Sequence, residues 1–243
     1  MNKVLDKQSH IPMYVQIEEV LKRRIKGGEF SIGTAIPSER DLTELFGVSR
    51  MTVRQSITNL VNEGLLHREK GRGTFVASPK VEQPLNGLTS FTEDMKVRGL
   101  VPSNKIINFV KELPERDIAE ELQLDAGEEV FTVERIRYAN DKPMALERTY
   151  LPVKLFPSLS ERELAGSLYS MIEQEQRLAI SHASQRMEAS LVKKEEASLL
   201  EIGMPAPILM IERVSYLSNG VPFEVVRSMY RADRYKFITE IQR

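Results

Sequence analysis

"SERDLTELFGVSRMTVRQSITNLVNEGLLHREKGRGTFVA", residues 38–77, contains two short helical patterns, a turn and a hairpin pattern rich in Gly and Arg. Ser38 is a candidate N-cap, and Asp41 three residues later completes a spacing typical of a capping box. The first pattern predicts a helix that ends at Phe46. Its buried side should consist of Leu42, Leu45 and Phe46.

A second helix follows after Gly47, which permits a tight turn, with Ser49 as its candidate N-cap. Its apolar stripe ends before Gly64 and contains Val53, Ile57, Leu60 and Val61. These two helices, joined by a short Gly-containing turn, indicate a helix-turn-helix.

An apolar stripe earlier in the chain predicts one more helix, from Pro12 to the glycines at 27 and 28. The stripe consists of Met13, Ile17, Leu21 and Ile25.

The outward side of the helix after Ser49 carries residues that suit DNA. Arg can donate two hydrogen bonds to guanine, and Gln can bond bidentately to adenine. Hydroxyl groups at a helix start suit phosphate oxygens. Arg40, on the preceding helix, is placed to reach the groove or a phosphate. The candidate DNA contacts on these helices are Arg40, Ser49, Arg50, Thr52, Arg54 and Gln55.

The hairpin pattern after Gly64 completes a winged helix-turn-helix. Gly71 and Gly73 allow the tip to bend sharply. Arg72 between them could enter a narrow minor groove, where the negative potential is enhanced. The alternative is a three-helix protein-interaction module with ordinary surface arginines. The combination of helices, turn and wing favours DNA binding.

The composition is that of a globular protein, with 243 residues, 41% hydrophobic and 28% charged. No stretch is apolar enough to span a membrane, and the absence of cysteine suits the cytoplasm. The charge is uneven: residues 1–78 hold 12 Lys/Arg and 9 Asp/Glu, whereas the remainder holds 22 and 26. A basic head on an acidic body indicates a polyanion partner for the head.

The pattern changes after the head. Residues 1–77 form the predicted DNA-binding domain, 78–88 a linker with two prolines and a glycine, and 89–243 a second domain. In this domain, alternating stretches predict antiparallel hairpins, with helical segments between them. The predicted fold class is therefore α+β.

A weak internal sequence repeat, the echo, supports this organisation. "ERIRYANDKPMALER", 134–148, resembles "ERVSYLSNGVPFEVVR", 212–227, and each copy follows a helix-to-strand lead-in. We infer a duplicated helix–hairpin unit about a pseudo-twofold axis, with a cleft near it. Chance similarity of two hairpins is the alternative.

Two arginines of the first copy indicate what the cleft could hold. Strand alternation places Arg135 and Arg137 on one face, where a phosphate could satisfy both through forked hydrogen bonds. Glu147 and Glu224 could accept from sugar hydroxyls. Further hydroxyls near predicted helix starts belong to Ser90, Thr92, Ser167 and Tyr169. The alternative is that the arginines pair across strands with the two glutamates as solvated salt bridges.

The motifs "IPSERDLTELFGVSRMTVRQSITNLVNEGLL" and "GRGTFV" resemble the N-terminal module of the GntR family of bacterial transcription regulators. "GLTSFTEDMKVRGL", "ERIRYANDKPMALERTYLP" and "PFEVVRSMYRADRYKF" resemble the effector-binding (UTRA) domain of its HutC subfamily, which shares the chorismate lyase fold. The resemblance is especially close to repressors of N-acetylglucosamine use. In the first module it implies DNA contacts at Arg40, Arg50, Thr52 and Gly71.

The same resemblance implies an effector site for a phosphorylated amino sugar. It implies a phosphate site formed by Ser90, Thr92, Arg135, Arg137, Ser167 and Tyr169. It implies a sugar site lined by Phe91, Glu147, Glu224 and Tyr230. Family members that bind other metabolites share much of this framework, so a different effector is an alternative.

Together these features predict a ligand-controlled repressor that binds double-stranded operator DNA as a homodimer, without a cofactor. The rival reading is a lyase-like enzyme in which Arg135, Arg137 and Glu147 bind and protonate a small anion. The sequence shows no nucleophile–base pair, no catalytic set and no metal-ligand cluster, since His10, His67 and His182 are scattered.

Overall fold

The computed structural model describes residues 5–69, 71–77, 80–85, 87–164 and 166–241. The chain folds into two compact units, Met1–Val81 and Glu82–Arg243. None of the helices that the structure describes is long and apolar enough to cross a bilayer.

The N-terminal unit is a three-helix bundle with a small hairpin. It consists of α1 (Met13–Lys26), α2 (Glu39–Phe46), α3 (Arg50–Asn62), β1 (Leu66–Glu69) and β2 (Gly73–Val76). The predicted caps are present: Ser38 and Asp41 form a capping box, and the Ser49 hydroxyl accepts from the amide of Thr52. Gly47, between α2 and α3, has φ +62°, a conformation that suits glycine.

The apolar stripes predicted for the three helices meet in one core. Its buried members include Ile17, Leu21, Leu42, Val53, Ile57 and Leu60. The prediction for Leu45 was wrong, because this side chain is 55% exposed. Successive helical residues lie about 100° apart around the axis. Leu45 therefore falls outside the narrow side of α2 on which Leu42 is buried.

The C-terminal unit is built on an antiparallel sheet, which confirms the α+β class. The sheet order is β4-β5-β6-β9-β8-β7. The strands are β4 (Pro102–Glu112), β5 (Val130–Ala139), β6 (Lys142–Pro152), β7 (Ile180–Leu191), β8 (Pro207–Leu217) and β9 (Pro222–Arg231). The helices are α4 (Phe91–Val97), α5 (Arg116–Glu121), α6 (Glu161–Leu164), α7 (Leu168–Ser170), a π-helical turn (Met171–Glu175) and α8 (Lys194–Leu199).

The sheet has the internal symmetry that the sequence echo predicted. One half runs β4-α5-β5-β6 and the other runs β7-α8-β8-β9, and the halves meet where β6 pairs with β9. Arg148 lies opposite Arg227 at this junction, and these two residues also correspond in the echo. The pseudo-twofold axis therefore passes between β6 and β9.

The two faces of the sheet differ in chemistry. One face packs against α5 and α8 through apolar residues such as Ile118, Val214, Val225 and Leu200. The opposite face carries charged side chains at the centre of the sheet and an apolar cluster beneath α6 and α7. Strand alternation explains the division, because successive residues point to opposite faces.

A small second sheet pairs β3 (Val81–Pro84) with β10 (Tyr235–Ile238). Part of the segment 78–88, predicted to be a linker, is therefore a strand, and the boundary between the units falls inside this segment. Ser78, Pro79 and Asn86 of the same segment lie outside the described residues, as does Lys70 of the predicted wing turn.

Candidate functional site

The predicted DNA contacts on α2 and α3 include two strongly exposed arginines. The side chains of Arg40 and Arg50 are 88% and 76% exposed. The Nε of Arg40 donates to Glu44 at 3.2 Å, and that of Arg50 donates to Glu39 at 3.3 Å. Exposed pairs of this kind contribute ~0–1 kcal/mol. Both guanidinium groups can therefore exchange these partners for a nucleic acid at small cost.

The start of α3 presents hydroxyl groups beside these cations. The hydroxyls of Ser49 and Thr52 lie 2.9 Å apart. Arg54 is exposed one turn further along. Gln55 is also exposed, but its amide donates to Asn59 at 2.8 Å. The structure thus brings the predicted α3 residues together, with Gln55 already engaged along the helix.

At the turn of the wing, Gly71 adopts φ +76°, and Arg72 pairs with Glu69 and lies over the ring of Phe75.

The wing carries a further arginine, Arg68, that the sequence analysis missed. Arg68 on β1 donates to Thr58 of α3 at 3.0 Å. A charged residue within a predicted strand gave no signal for this contact, which depends on how the hairpin packs against α3.

The second candidate site is a cavity over the charged face of the six-stranded sheet. Side chains from the four central strands form its floor, and residues of α4 and α7 form its wall. All ten predicted effector-site residues line it: Ser90, Phe91, Thr92, Arg135, Arg137, Glu147, Ser167, Tyr169, Glu224 and Tyr230. The structure therefore brings together residues that are as much as 140 positions apart in the chain.

Arg135 and Arg137 lie side by side in the cavity and share one carboxylate. Arg135 and Glu147 are cross-strand partners, and Nη2 of Arg135 donates to Oε1 of Glu147. The same oxygen lies 3.6 Å from Nη1 of Arg137. Among the residues that the structure describes, the buried Nε atoms of both arginines have no hydrogen-bond partner. The alternative of cross-strand salt bridges is therefore right for the pairing with Glu147 but wrong about its solvation, because all three residues are buried.

Burial and charge oppose each other in this cluster. Burial favours the neutral form of Glu147, but Arg135 and Arg137 outweigh it and hold the pKa of Glu147 below its ordinary value. Burial lowers the pKa of Arg137, and the neighbouring Arg135 lowers it further while Glu147 opposes both. A second negative charge beside the arginines would relieve this conflict.

Hydroxyl groups and an aromatic ring surround the arginines. Thr92 Oγ1 accepts from Nη2 of Arg137 at 3.0 Å, and the ring of Phe91 lies 4.7 Å from the Arg137 guanidinium carbon. The hydroxyls of Ser90 and Ser167 lie 3.4 Å apart, although their elements are far apart in sequence. These contacts place α4 and α7 together at the same end of the cavity.

The other end of the cavity is built around Glu224. This carboxylate accepts from Tyr169 at 3.2 Å and from Ser215 at 3.0 Å. Burial and the charge of Glu147 raise the pKa of Glu224 to about 7, although Arg213 and the Ser215 hydroxyl oppose the rise. Tyr230 packs against Tyr235 of β10, with ring centres 4.6 Å apart. The cavity therefore holds a carboxyl group that burial and a neighbouring negative charge make easier to protonate than an exposed glutamate.

The sequence analysis missed five polar residues that line the cavity: Gln83, Thr89, Asp94, Arg213 and Ser228. The echo could have identified Arg213, because "ERI" at 134 aligns with "ERV" at 212 and pairs Arg213 with Arg135. Arg213 donates to Gln185 at 2.7 Å and 2.9 Å. Gln83 gave no such signal, since it lies in the segment interpreted as a linker.

Comparison with known proteins identifies both units. Residues 13–76 match the bacterial regulatory proteins of the gntR family, and residues 97–236 match the UTRA domain. The chain belongs to the GntR family. Its UTRA domain places it in the HutC subfamily. The α+β architecture and the family predicted from the sequence are both confirmed.

This GntR-family chain is similar to several full-length relatives. It is 47% identical to the transcriptional repressor NagR of Bacillus subtilis, over 98% of each chain. It is 36% identical to the mannosyl-D-glycerate transport/metabolism system repressor MngR of Escherichia coli, over 96% of this chain and 98% of that one. The crystal structure of PhnF from Mycobacterium smegmatis superposes with a TM-score of 0.67 at 33% identity, covering 93% of this chain and 99% of PhnF.

Family membership decides between the two classes that the sequence left open. GntR-family proteins with a UTRA domain are regulators, in which the helix-turn-helix binds DNA and the UTRA domain binds an effector. The chain is a transcription regulator and not a lyase-like enzyme. In the part of the chain that the structure describes, no His/Asp/Glu cluster is arranged to hold a metal ion.

Proposed function

We propose that this regulator is a repressor of amino-sugar utilisation genes and that a phosphorylated amino sugar releases it from operator DNA. The observation that carries the proposal is the buried pair Arg135 and Arg137, which share the single carboxylate of Glu147 and keep two unpartnered Nε donors. Paired guanidinium groups suit the forked geometry of a phosphate.

The charge of the cavity supports an anionic ligand. Its lining contains three arginines, since Arg213 joins the pair, against the carboxylates of Asp94, Glu147 and Glu224. Burial and the charge of Glu147 raise the pKa of Glu224 to about 7, so this third carboxylate takes up a proton more readily than an exposed one. The arginines thus face carboxylates of which one is readily neutralised, and a phosphate would supply negative charge beside them.

The remaining lining suits the rest of a sugar. We propose that Ser90, Thr92, Ser167 and Tyr169 complete the phosphate site and that Phe91, Glu147, Glu224 and Tyr230 line the sugar. Carboxylates accept from hydroxyl groups, and aromatic faces pack against the apolar faces of sugar rings. The similarity to NagR supports an amino sugar, whereas a different phosphorylated metabolite would use the same arginine pair.

The size of the cavity supports control by ligand. It encloses about 50 Å³, whereas ligand pockets are typically ~300–1,000 Å³. A sugar phosphate therefore requires a wider arrangement of the walls. A ligand that binds one arrangement better than another shifts the equilibrium between them, and this difference in affinity is what regulation requires.

For the DNA-binding unit we propose a homodimer that places two α3 helices on a pseudo-palindromic operator. The proposed contacts are Arg40, Ser49, Arg50, Thr52, Arg54, Gln55, Gly71 and Arg72. Guanidinium groups would read guanines or bind phosphates, and the wing would approach the minor groove. The similar proteins NagR and MngR are both named repressors, which supports the direction of control.

A thermal-shift screen of the purified full-length chain tests the effector class. Glucosamine-6-phosphate and N-acetylglucosamine-6-phosphate are expected to raise the melting temperature, and the unphosphorylated sugars are not. A gel shift with operator DNA should then show release at the same concentrations. Stabilisation by free sugars alone would contradict the phosphate assignment, and tighter operator binding with ligand would contradict release.

A further inference from the structure

Gln83 is a buried polar residue that lines the effector cavity from the strand β3. Its side chain is 6% exposed, and its Nε2 donates to the carboxylate of Asp94 on α4. Its Oε1 atom is buried and has no hydrogen-bond partner in the described part of the chain. An unpaired buried acceptor is unfavourable, because it has lost its hydrogen bonds to water.

The orientation of this amide is fixed by its surroundings. An ionised carboxylate can only accept hydrogen bonds, so the amide nitrogen of Gln83 must face Asp94 and the oxygen must point away from it. Asp94 is held in turn by Thr89, whose hydroxyl donates at 2.8 Å, and by Arg98, which lies 3.5 Å away. Rotating the amide would place its oxygen against a carboxylate and is therefore unfavourable.

The unpaired atoms of the cavity complement a specific kind of ligand. The Nε atoms of Arg135 and Arg137 are donors without an acceptor, whereas Oε1 of Gln83 is an acceptor without a donor. An inorganic anion satisfies the arginines but offers little to Gln83. A ligand that carries an anionic group together with hydroxyl or amino groups offers acceptors to the arginines and a donor to Gln83.

We propose that Gln83 is a specificity-determining residue of the effector site, whose Oε1 accepts a hydrogen bond from a hydroxyl or amino group of the sugar phosphate. The proposal rests on the proposed function, because it takes a phosphorylated sugar as the ligand. Gln83 then favours sugar phosphates over inorganic phosphate. Because β3 begins at Val81, where the N-terminal unit ends, this contact reaches the first strand after the DNA-binding unit in the chain.

Calorimetric titration of the full-length protein with glucosamine-6-phosphate and with inorganic phosphate tests this role. In Gln83→Met the length of the side chain is kept and the acceptor is lost. Its affinity for the sugar phosphate is expected to fall about tenfold, while its affinity for inorganic phosphate stays within about twofold, because Oε1 accepts from the sugar and not from the phosphate group that the arginines hold.

Glu82→Gln is the matched control. It changes an exposed side chain of the same strand that pairs with Lys236 and does not line the cavity, so both affinities should remain those of the unmodified protein. If Gln83 only holds α4 in place through Asp94, Gln83→Met will weaken both ligands equally, and this result overturns the proposal. Far-UV circular dichroism checks that each variant is folded, and Gln83→Ser replaces Gln83→Met if the latter does not fold.

The unmodified protein separates this proposal from the proposed function. If it binds neither glucosamine-6-phosphate nor any other sugar phosphate of the thermal-shift screen, the proposed function fails, and the role of Gln83 fails with it. If it binds a sugar phosphate but Gln83→Met keeps the same preference over inorganic phosphate, only the role of Gln83 is overturned. If Gln83→Met loses affinity for the sugar phosphate but not for inorganic phosphate, the result supports both the proposed function and the role of Gln83.

Discussion

The buried carboxyl group of Glu224 should make the stability of the effector unit depend on pH. Glu224 is 3% exposed, and burial together with the charge of Glu147 raises its pKa to about 7 from an ordinary value of 4.5. Between these two pH values the folded protein binds a proton that the unfolded chain has released. The free energy of unfolding therefore falls as pH rises through this window.

The magnitude follows from the size of the shift. Each pKa unit corresponds to ~1.4 kcal/mol, so a rise from 4.5 to about 7 corresponds to ~3 kcal/mol of lost stability above pH 7. Glu224→Gln keeps the shape of the protonated group and cannot ionise. The free energy of unfolding of this variant, relative to that of the unmodified protein, should therefore increase by up to ~3 kcal/mol as pH rises from 4.5 to 8.

Urea unfolding at constant ionic strength, followed by far-UV circular dichroism, measures this difference in a chain that lacks tryptophan. Glu188→Gln, which neutralises an exposed carboxylate on β7, controls for the change in net charge. A difference between Glu224→Gln and the unmodified protein that stays constant with pH would refute the reasoning. If the difference in the free energy of unfolding instead grew as pH fell, the pKa of Glu224 would be lowered rather than raised. Arg213 and Ser215 would then dominate over burial.

Three further variants test the DNA and phosphate contacts. Arg50→Ala should weaken operator binding by ~1–3 kcal/mol if the side chain bonds bidentately to guanine, and a gel shift with unchanged affinity and sequence preference would reject that contact. Glu39→Gln removes the partner of Arg50 and should strengthen non-specific DNA binding by less than ~1 kcal/mol at low salt, measured by fluorescence anisotropy. Arg135→Ala should abolish the effector response while operator binding remains. It should also destabilise the protein by ~3–5 kcal/mol in urea unfolding, because Glu147 loses its closest cation, and normal sugar-phosphate affinity by calorimetry would contradict the phosphate assignment.

Much of the fold follows from local chemistry that the sequence displays. The caps at Ser38 and Ser49 and the stripe through Val53 and Ile57 define the helices of the N-terminal unit, because a helix end needs its amides satisfied and a stripe needs a core. Alternation along β5 predicts from the sequence alone that Arg135 and Arg137 lie on one face.

What the sequence could not supply depends on packing between distant elements. Leu45 is apolar at a helical spacing, yet it is exposed, because burial depends on which side of α2 packs into the core and not on the spacing alone. The charged face of the sheet is buried because α4 and α7 cover it, and no strand pattern indicates a lid. Gln83 belongs to the cavity only because β3 pairs with β10, far away in the chain.

The internal symmetry of the sheet explains how the cavity acquires two chemically different ends. The echo places Arg213 where the first half has Arg135, so the two halves keep one cation in common. Two residues further along these strands, the first half has Arg137, whereas the second has Ser215, whose hydroxyl donates to Glu224. The first half therefore brings two arginines to the cavity, whereas the second brings one arginine, a serine and a carboxyl group of raised pKa. A symmetric pair of arginine sites would suit a ligand with two anionic ends. Because the second half carries a serine where the first carries its inner arginine, we infer that the ligand has one anionic end, held by the first half, and a hydroxyl-bearing end that faces the second.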